Sequence, residues 1–237
     1  MTNPTPLRKQ DVLSKIDYAK HRHQELMNEL FAAKNASRDP AFLVHTAADI
    51  ISTVRECFDY LGQDIIECYI LPNTSNQRII QDYAAGKLRS YFPYYSSQIT
   101  SNSVFHELVA INSAVYQSLQ DFISSVASNA TIPNTLFTYQ IFVDVKDMVN
   151  QKKHDKLIGV ISNNDKEYLI QNENIKIVVP MSGQVGWSSF SVEPGLSVSR
   201  VSEYRFDYNN QEVSKFCLFA TEATQHVIMS LYDKHFA

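Results

Sequence analysis

The sequence predicts an α+β protein, with a bundle of four long helices followed by a small antiparallel β-region and a C-terminal helix. Up to about residue 155, apolar residues recur every three or four positions, which is the spacing of an amphipathic helix. After residue 157, short apolar runs alternate with turn signals rich in Asn, Gly and Pro, which is typical of strands. We therefore predict a helical bundle over residues 1–155. Residues 156–237 are predicted to form a β-rich region whose C-terminal helix packs back on the bundle.

Two apolar stripes define the first two helices. The first helix is predicted to run to about residue 35, and its stripe consists of Val12, Ile16, Ala19, His23, Leu26 and Leu30. The second helix is predicted to open at Asp39-Pro40, because proline suits the first position of a helix. Its stripe consists of Val44, Ala48, Ile51, Val54 (or Arg55), Phe58, Leu61, Ile65 and Cys68.

The remaining elements follow from the same patterns. A shorter helix is predicted over residues 77–91, a third long helix over 104–127 and a fourth over 136–154. Short connections between long helices favour an up-and-down bundle. Strands are predicted at 157–161, 167–170, 175–179, 188–192, 197–208 and 213–219, and the last helix at 221–235.

Composition narrows the function classes. The chain has 237 residues, of which 44% are hydrophobic and 19% charged, and its net charge is −4. This net charge gives no support for RNA as a partner, although it does not exclude a local basic patch. No apolar run approaches the ~20 residues of a membrane helix, and no signal pattern precedes the first helix. We expect a cytoplasmic protein without a membrane partner.

Familiar catalytic and cofactor motifs are absent from the sequence. The six glycines never cluster as a phosphate-binding loop requires, and neither G-x-S-x-G nor H-E-x-x-H occurs. Cys57, Cys68 and Cys217 form no close pair and are expected to be reduced core thiols. His23 lies on an apolar stripe and is expected to be a hydrogen-bonded core histidine. We therefore expect no metal and no cofactor.

A small number of polar residues are candidates for a binding or catalytic site. Arg55 and Asp59 are one helical turn apart, so they could form a structural ion pair or bind an anion such as an RNA phosphate. Asn150, Lys153 and His154 end a predicted helix, where cations are favoured by the helix dipole. His154 could alternatively act as an acid or base near Arg55.

Aromatic residues offer a second set of candidates. Trp187 lies in the most glycine-rich stretch, where it either packs the loop down or offers a contact surface. Tyr91, Phe92, Tyr94 and Tyr95 cluster in one loop. Because no basic residues are interleaved with these rings, we expect them to pack at a bundle end or at a subunit interface rather than to stack on bases.

Three segments together carry a family resemblance. The first segment is Val54-Arg55-Glu56-Cys57-Phe58-Asp59-Tyr60-Leu61, which resembles an R-x-x-L-D-H/Y-L stretch. The second is Phe92-Pro93, which resembles a short F-P landmark. The third runs from Asn150 to Leu157 and resembles an N-x-x-K-H-x-x-L helix ending. In this order they resemble a group of bacterial helical-bundle proteins akin to the HEPN superfamily. HEPN nucleases cleave RNA without a metal ion, by means of an arginine and a histidine on one helix that are usually paired across a dimer. The resemblance implies chemistry of this kind.

This sequence departs from the HEPN catalytic pattern. Its only arginine–histidine pair at suitable spacing and order is Arg38 and His45, and Pro40 separates the two at a helix start. The leading hypothesis is therefore a non-enzymatic interaction or accessory protein of HEPN-like bundle type, which could form homo-oligomers. The alternatives are an RNA-binding protein or ribonuclease in a bacterial defence or toxin setting, and a small-ligand-binding domain.

Overall fold

The computed structural model describes residues 3–36, 43–88, 91–154, 160–163, 167–171, 176–180, 197–200 and 203–237. Within these residues the helices are α1 (Lys9–Ala36), α2 (Leu43–Ile65), α3 (Gln77–Ala84), α4 (Leu108–Ile111), α5 (Ser113–Ala127), α6 (Gln140–His154) and α7 (Val213–His235). A π-helical turn at Ile66–Ile70 extends α2, and 3-10 turns occupy Ser96–Gln98 and Val104–Glu107. The predicted helical bundle is confirmed. The proposed opening of the second helix at Asp39-Pro40 lies outside the described residues.

The predicted stripes of α1 and α2 face the core. Every aliphatic residue of both stripes is buried, as are Ala19, Ala48 and Phe58, whereas Cys68 is half-buried. Between α2, α5 and α6 lies an aromatic cluster, which consists of Phe58, Phe92, Tyr94, Phe122, Tyr139 and Phe142. The loop rings Phe92 and Tyr94 are 0% and 1% exposed, so they pack inside the bundle rather than at its end, whereas Tyr91 of the same loop is 56% exposed.

Helix α7 closes the bundle against α1, α2 and α6. Its apolar contacts include Val227, Ile228 and Tyr232, all of which are buried in the core. The Tyr232 hydroxyl also donates to Oδ2 of Asp64, a completely buried carboxylate at the end of α2, at 3.0 Å. The backbone N–H of Arg8 donates to the same oxygen at 3.0 Å. Both ends of the chain are therefore attached to α2.

The predicted strand at 213–219 is wrong, because these residues form the first turns of α7. Val213, Phe216, Cys217 and Ala220 are buried, and their spacing places them on one helical face. The helix begins there because the Glu212 carboxylate accepts hydrogen bonds from the backbone N–H groups of the second and third residues of α7, at 3.3 and 2.7 Å.

Three predicted helices have different bounds in the structure. The helix predicted over 104–127 is interrupted, because the Asn112 side chain accepts from the backbone N–H of Val115 at 3.2 Å and starts α5 as a separate helix. Helix α3 ends at Ala84, just before Gly86, whose φ of +65° leaves the helical region. Helix α6 begins at Gln140, and the preceding Leu136 is 97% exposed.

Five short strands are described between residues 160 and 206. They are β1 (Val160–Asn163), β2 (Glu167–Gln171), β3 (Lys176–Pro180), β4 (Ser197–Arg200) and β5 (Glu203–Phe206). β1 pairs with β5, and β2 pairs with both β3 and β4, in antiparallel register. Because these strands fall into two ladders and residues 213–219 are helical, one continuous antiparallel β-region over 157–219 is not supported. The strand predicted at 188–192 lies outside the described residues.

None of the helices in the described ranges is long and apolar enough to cross a membrane.

Replacing Phe58 with alanine tests the aromatic cluster as the centre of the bundle. Phe58 is 1% exposed, and its ring contacts other rings on α5, α6 and the 91–95 loop. We expect Phe58→Ala to lower the free energy of unfolding by about 3–5 kcal/mol, because it removes buried surface and leaves a cavity. Urea denaturation measures this change. Phe31→Ala is the control, because Phe31 is 70% exposed. Equal losses in both variants would contradict this description of the core.

Candidate functional site

Arg55 is held by its own helix and by the loop that follows α3. Its Nη1 donates to Oδ1 of Asp59, one turn further along α2, at 2.5 Å. The same oxygen accepts from the backbone N–H of Phe92 at 3.3 Å, and the guanidinium carbon lies 5.0 Å from the centre of the Tyr94 ring. The Arg55 side chain is only 11% exposed. This geometry joins α2 to the 91–95 loop and matches the structural ion pair that the sequence suggested as one alternative.

Electrostatics keep Arg55 charged in this setting. Burial alone would lower the pKa of the guanidinium, but Tyr94 and Asp59 raise the pKa above its ordinary value. An anion that approached Arg55 would have to displace a carboxylate at hydrogen-bond distance and enter a largely closed space. The arrangement therefore suits a fixed cation that stabilises the fold better than a cation that awaits a phosphate.

The helix geometry separates the backbones of His154 and Arg55 within one chain, and the His154 side chain lies outside the described residues. Phe142 of α6 lies against Phe58 of α2, with ring centres 5.0 Å apart. From there α6 runs towards the start of α2, because Val149 belongs to the apolar cluster that buries the first turns of α2. His154, the last residue of α6, is about 18 Å along the helix axis from Phe142. Arg55 lies one turn from Phe58 in the same direction, so the backbones of Arg55 and His154 differ by about 13 Å along the bundle axis.

The other candidates from the sequence remain separate. Asn150 is exposed on α6, and Lys153 belongs to the last turn of the same helix, where its side chain is outside the described residues. Trp187 also lies outside them. His45 is exposed on α2, whereas Arg38, its possible catalytic mate, lies outside the described residues. No described contact links any of these residues to Arg55.

The outer face of α6 carries a polar cluster that the sequence did not indicate. Lys146 Nζ donates to the Tyr95 hydroxyl and to Asp147 Oδ1, both at 3.1 Å, and lies 4.4 Å from the centre of the Tyr95 ring. The Tyr208 hydroxyl donates to Asp147 Oδ2 at 3.4 Å. These contacts fasten the loop after α3 and the turn before α7 to α6.

Asp144, also on α6, is a buried carboxylate held by neutral donors. Its oxygens accept from the amide groups of Gln140 at 2.9 Å, Gln211 at 3.3 Å and Asn209 at 3.4 Å. Burial raises the pKa of Asp144 above its ordinary value. The donors from residues 209 and 211 fix the turn before α7, so the contacts have a structural consequence.

His23 and the buried cysteines Cys57 and Cys217 form no reactive site. His23 Nε2 lies 3.1 Å from the backbone oxygen of Ser214, so this histidine of the α1 stripe is hydrogen-bonded as expected, but it is half-buried rather than in the core. Burial raises the pKa of Cys57 to about 12 and that of Cys217 further still, so neither thiol is a ready nucleophile. Across the described residues, no group of three or more His, Cys, Asp or Glu side chains could hold a metal ion.

Comparison with protein-family models, curated proteins and solved structures gives no match to this chain.

Sequence reasoning missed one polar cluster that faces a cavity, formed by Ser118 of α5 with Lys234 and His235 of α7. The serine and the two basic residues lie more than a hundred positions apart in the sequence, so no local motif announces them. The sequence contains only a weak indication of this cluster. Ser118 interrupts the apolar face of α5, and His235 ends a helix that is predicted to pack on the bundle.

The structural role of Arg55 is testable by substitution. Arg55→Ala leaves the Asp59 carboxylate without its cation and removes the contact with Tyr94. We expect the free energy of unfolding to fall by about 1.5–3 kcal/mol, the range for hydrogen bonds to charged groups. Arg78→Ala is a matched control, because Arg78 also faces an aspartate one turn away but is 89% exposed, at 3.6 Å. A similar small loss for both variants would mean that Arg55 is not a structural clamp.

Proposed function

We propose that this chain is a cytoplasmic interaction or accessory protein built on a HEPN-like bundle, with the strands between residues 160 and 206 as a small antiparallel appendage. The observation that carries this proposal is the engagement of Arg55 by Asp59 and Tyr94. Arg55, the arginine within the segments that carry the family resemblance, therefore stabilises the fold. The bundle then serves as a scaffold for contacts.

Catalysis by an arginine–histidine pair finds little support. Such cleavage needs an acid or base within hydrogen-bond reach of the reacting oxygen and a cation for the developing charge. The Arg55 side chain is 11% exposed, and no described contact links it to the end of α6, where His154 lies. The net charge of −4 also supplies no general attraction for RNA.

An apolar patch beside α6 and α7 supports a contact function. The patch consists of Leu136, Phe137 and Phe219. Leu136 is 97% exposed and Phe219 39% exposed, and the rings of Phe137 and Phe219 lie 4.9 Å apart. Grouped exposed apolar side chains commonly mark protein contacts. We assign the patch to a second copy of this chain, because the HEPN resemblance implies bundles that act in pairs.

The ribonuclease alternative is tested directly with pure protein. Incubated with structured and with single-stranded RNA, the wild-type chain should leave both intact. His154→Ala and Arg55→Lys serve as matched variants that keep, respectively, the bundle and the positive charge. Cleavage by the wild type that disappears in His154→Ala, while circular dichroism stays native, would replace the accessory proposal with the ribonuclease one.

Self-association through the patch is tested by placing a charge on it. Leu136→Asp should convert the wild-type oligomer to a monomer, because a buried unpaired carboxylate opposes association. Light scattering coupled to size-exclusion chromatography measures the mass. Val109→Asp is the control, because Val109 is 48% exposed on α4, outside the patch. A wild-type chain that is already monomeric at high concentration would refute the assignment.

A further inference from the structure

Ser118 has unusual hydrogen-bond partners for a serine inside a helix. Such serines commonly donate to the carbonyl four residues earlier, and in this protein Ser52 of α2 does so at 2.7 Å. The Ser118 oxygen instead lies 2.8 Å from Lys234 Nζ and 2.9 Å from His235 Nε2. Its side chain is thus engaged by two basic groups from another helix.

The lysine fixes the direction of one of these hydrogen bonds, and the tautomer of His235 sets the direction of the other. A lysine ammonium can only donate, so the Ser118 oxygen accepts from Lys234. The hydroxyl proton is then available for Nε2 of a neutral imidazole that carries its own proton on Nδ1. Burial and, secondarily, the charge of Lys234 lower the pKa of His235, which favours the neutral form at pH 7. A serine that donates to a neutral histidine has the arrangement of an activated nucleophile and its general base.

The structure holds His235 firmly in place. Its backbone oxygen accepts a short hydrogen bond from the Tyr69 hydroxyl. The next residue, Phe236, packs its ring against that of Tyr69, with ring centres 5.5 Å apart. His235 itself is 7% exposed. These contacts fix the backbone that carries the imidazole on a packed part of the bundle, as a catalytic base requires.

A cavity of about 360 Å³ opens at this cluster, between α5, α7 and the 132–134 loop. Ser118 and Lys234 line one side of this α5–α7 cavity, and Phe122, Ile132 and Leu231 line another. The volume falls in the range of small-molecule sites. The apolar wall suits a short hydrocarbon chain, and the polar wall suits a carbonyl group beside the serine.

We propose that Ser118 is a nucleophile that accepts an acyl group from small carboxylic esters bound in the α5–α7 cavity, with His235 as general base and Lys234 stabilising the oxyanion. This activity goes beyond the proposed contact function and would set aside the expectation of a non-enzymatic protein.

The acyl transfer needs only Ser118, His235, Lys234 and the ester. Ser118 Oγ attacks the carbonyl carbon while its proton passes to His235 Nε2, and the carbonyl oxygen gains negative charge beside the Lys234 ammonium. The tetrahedral species collapses, the bond from carbon to the alcohol oxygen breaks, and His235 returns the proton to the departing alcohol. Attack by water in the same manner releases the carboxylic acid and restores the serine hydroxyl.

The test uses the full-length chain and a fluorophosphonate probe, which reports activated serines. Ser118 Oγ displaces fluoride and forms a bond to phosphorus, and peptide mass spectrometry then locates the label. We expect labelling of Ser118 in the wild type and none at that peptide in Ser118→Ala. His235→Gln should slow labelling about 100-fold, the usual scale of general-base catalysis. Ser230→Ala is the control, because Ser230 lines the same cavity but accepts from neither basic group, and it should label at the wild-type rate.

A purely structural cluster would behave differently. Ser118→Ala would lower the melting temperature, but the wild-type chain would carry no label on Ser118. That result, or labelling that His235→Gln leaves unchanged while circular dichroism stays native, overturns the proposal. Because mapping of the wild-type label needs no variant, the test does not depend on the stability of Ser118→Ala.

Discussion

The buried carboxylate of Asp64 is the constraint on which the rest of the structure depends. A carboxylate with no exposed surface is costly unless donors surround it. Here the donors come from both ends of the chain: the backbone and guanidinium of Arg8, each at 3.0 Å, and the hydroxyl of Tyr232, also at 3.0 Å. Satisfying Asp64 therefore requires the N-terminal segment and α7 to be docked at the same time.

The position of α7 decides what the other polar groups can do. Once Tyr232 is anchored, the last turn of α7 lies beside α5, and Lys234 and His235 reach Ser118. Arg55 shows the contrary outcome, because its partner Asp59 belongs to the same helix and Tyr94 covers it. One cluster faces a cavity and the other is enclosed, although both combine a cation with a polar partner. Access, rather than residue type, separates the proposed chemistry from the structural contact.

Local patterns predicted the parts of the fold that local physics controls. The α1 and α2 stripes were visible because burial on one helical face leaves an unambiguous spacing, as Ile16 and Ile51 illustrate. The start of α7 was missed because Val213 and Phe216 favour strands by residue type, and an Asn-Asn turn precedes them. Burial on a helical face overrode that preference. The break at Asn112 depended on one side chain capping a helix, which a continuous apolar pattern conceals.

The candidate sites also differ in how far the sequence could predict them. The ion pair of Arg55 with Asp59 could be predicted, because residues one turn apart on a helix are neighbours. Its burial under Tyr94 could not, since this depends on how the 91–95 loop folds back. The cluster at Ser118 required α5 and the end of α7 to meet, and nothing in either segment alone specifies that contact. The aromatic loop was an intermediate case, because its composition predicted packing, but at a bundle end or subunit interface rather than in the core, where Phe92 and Tyr94 lie.

A double-mutant cycle between Asp64 and Tyr232 tests most directly whether this polar attachment holds α7 in place. The free energies of unfolding of the wild type, Asp64→Ala, Tyr232→Phe and the double variant are measured by urea denaturation under one set of conditions. Tyr232→Phe keeps the buried ring and removes only the hydroxyl that donates to Asp64. If the attachment works as described, the two substitutions are coupled by about 0.5–3 kcal/mol. Losses that add without coupling would contradict it.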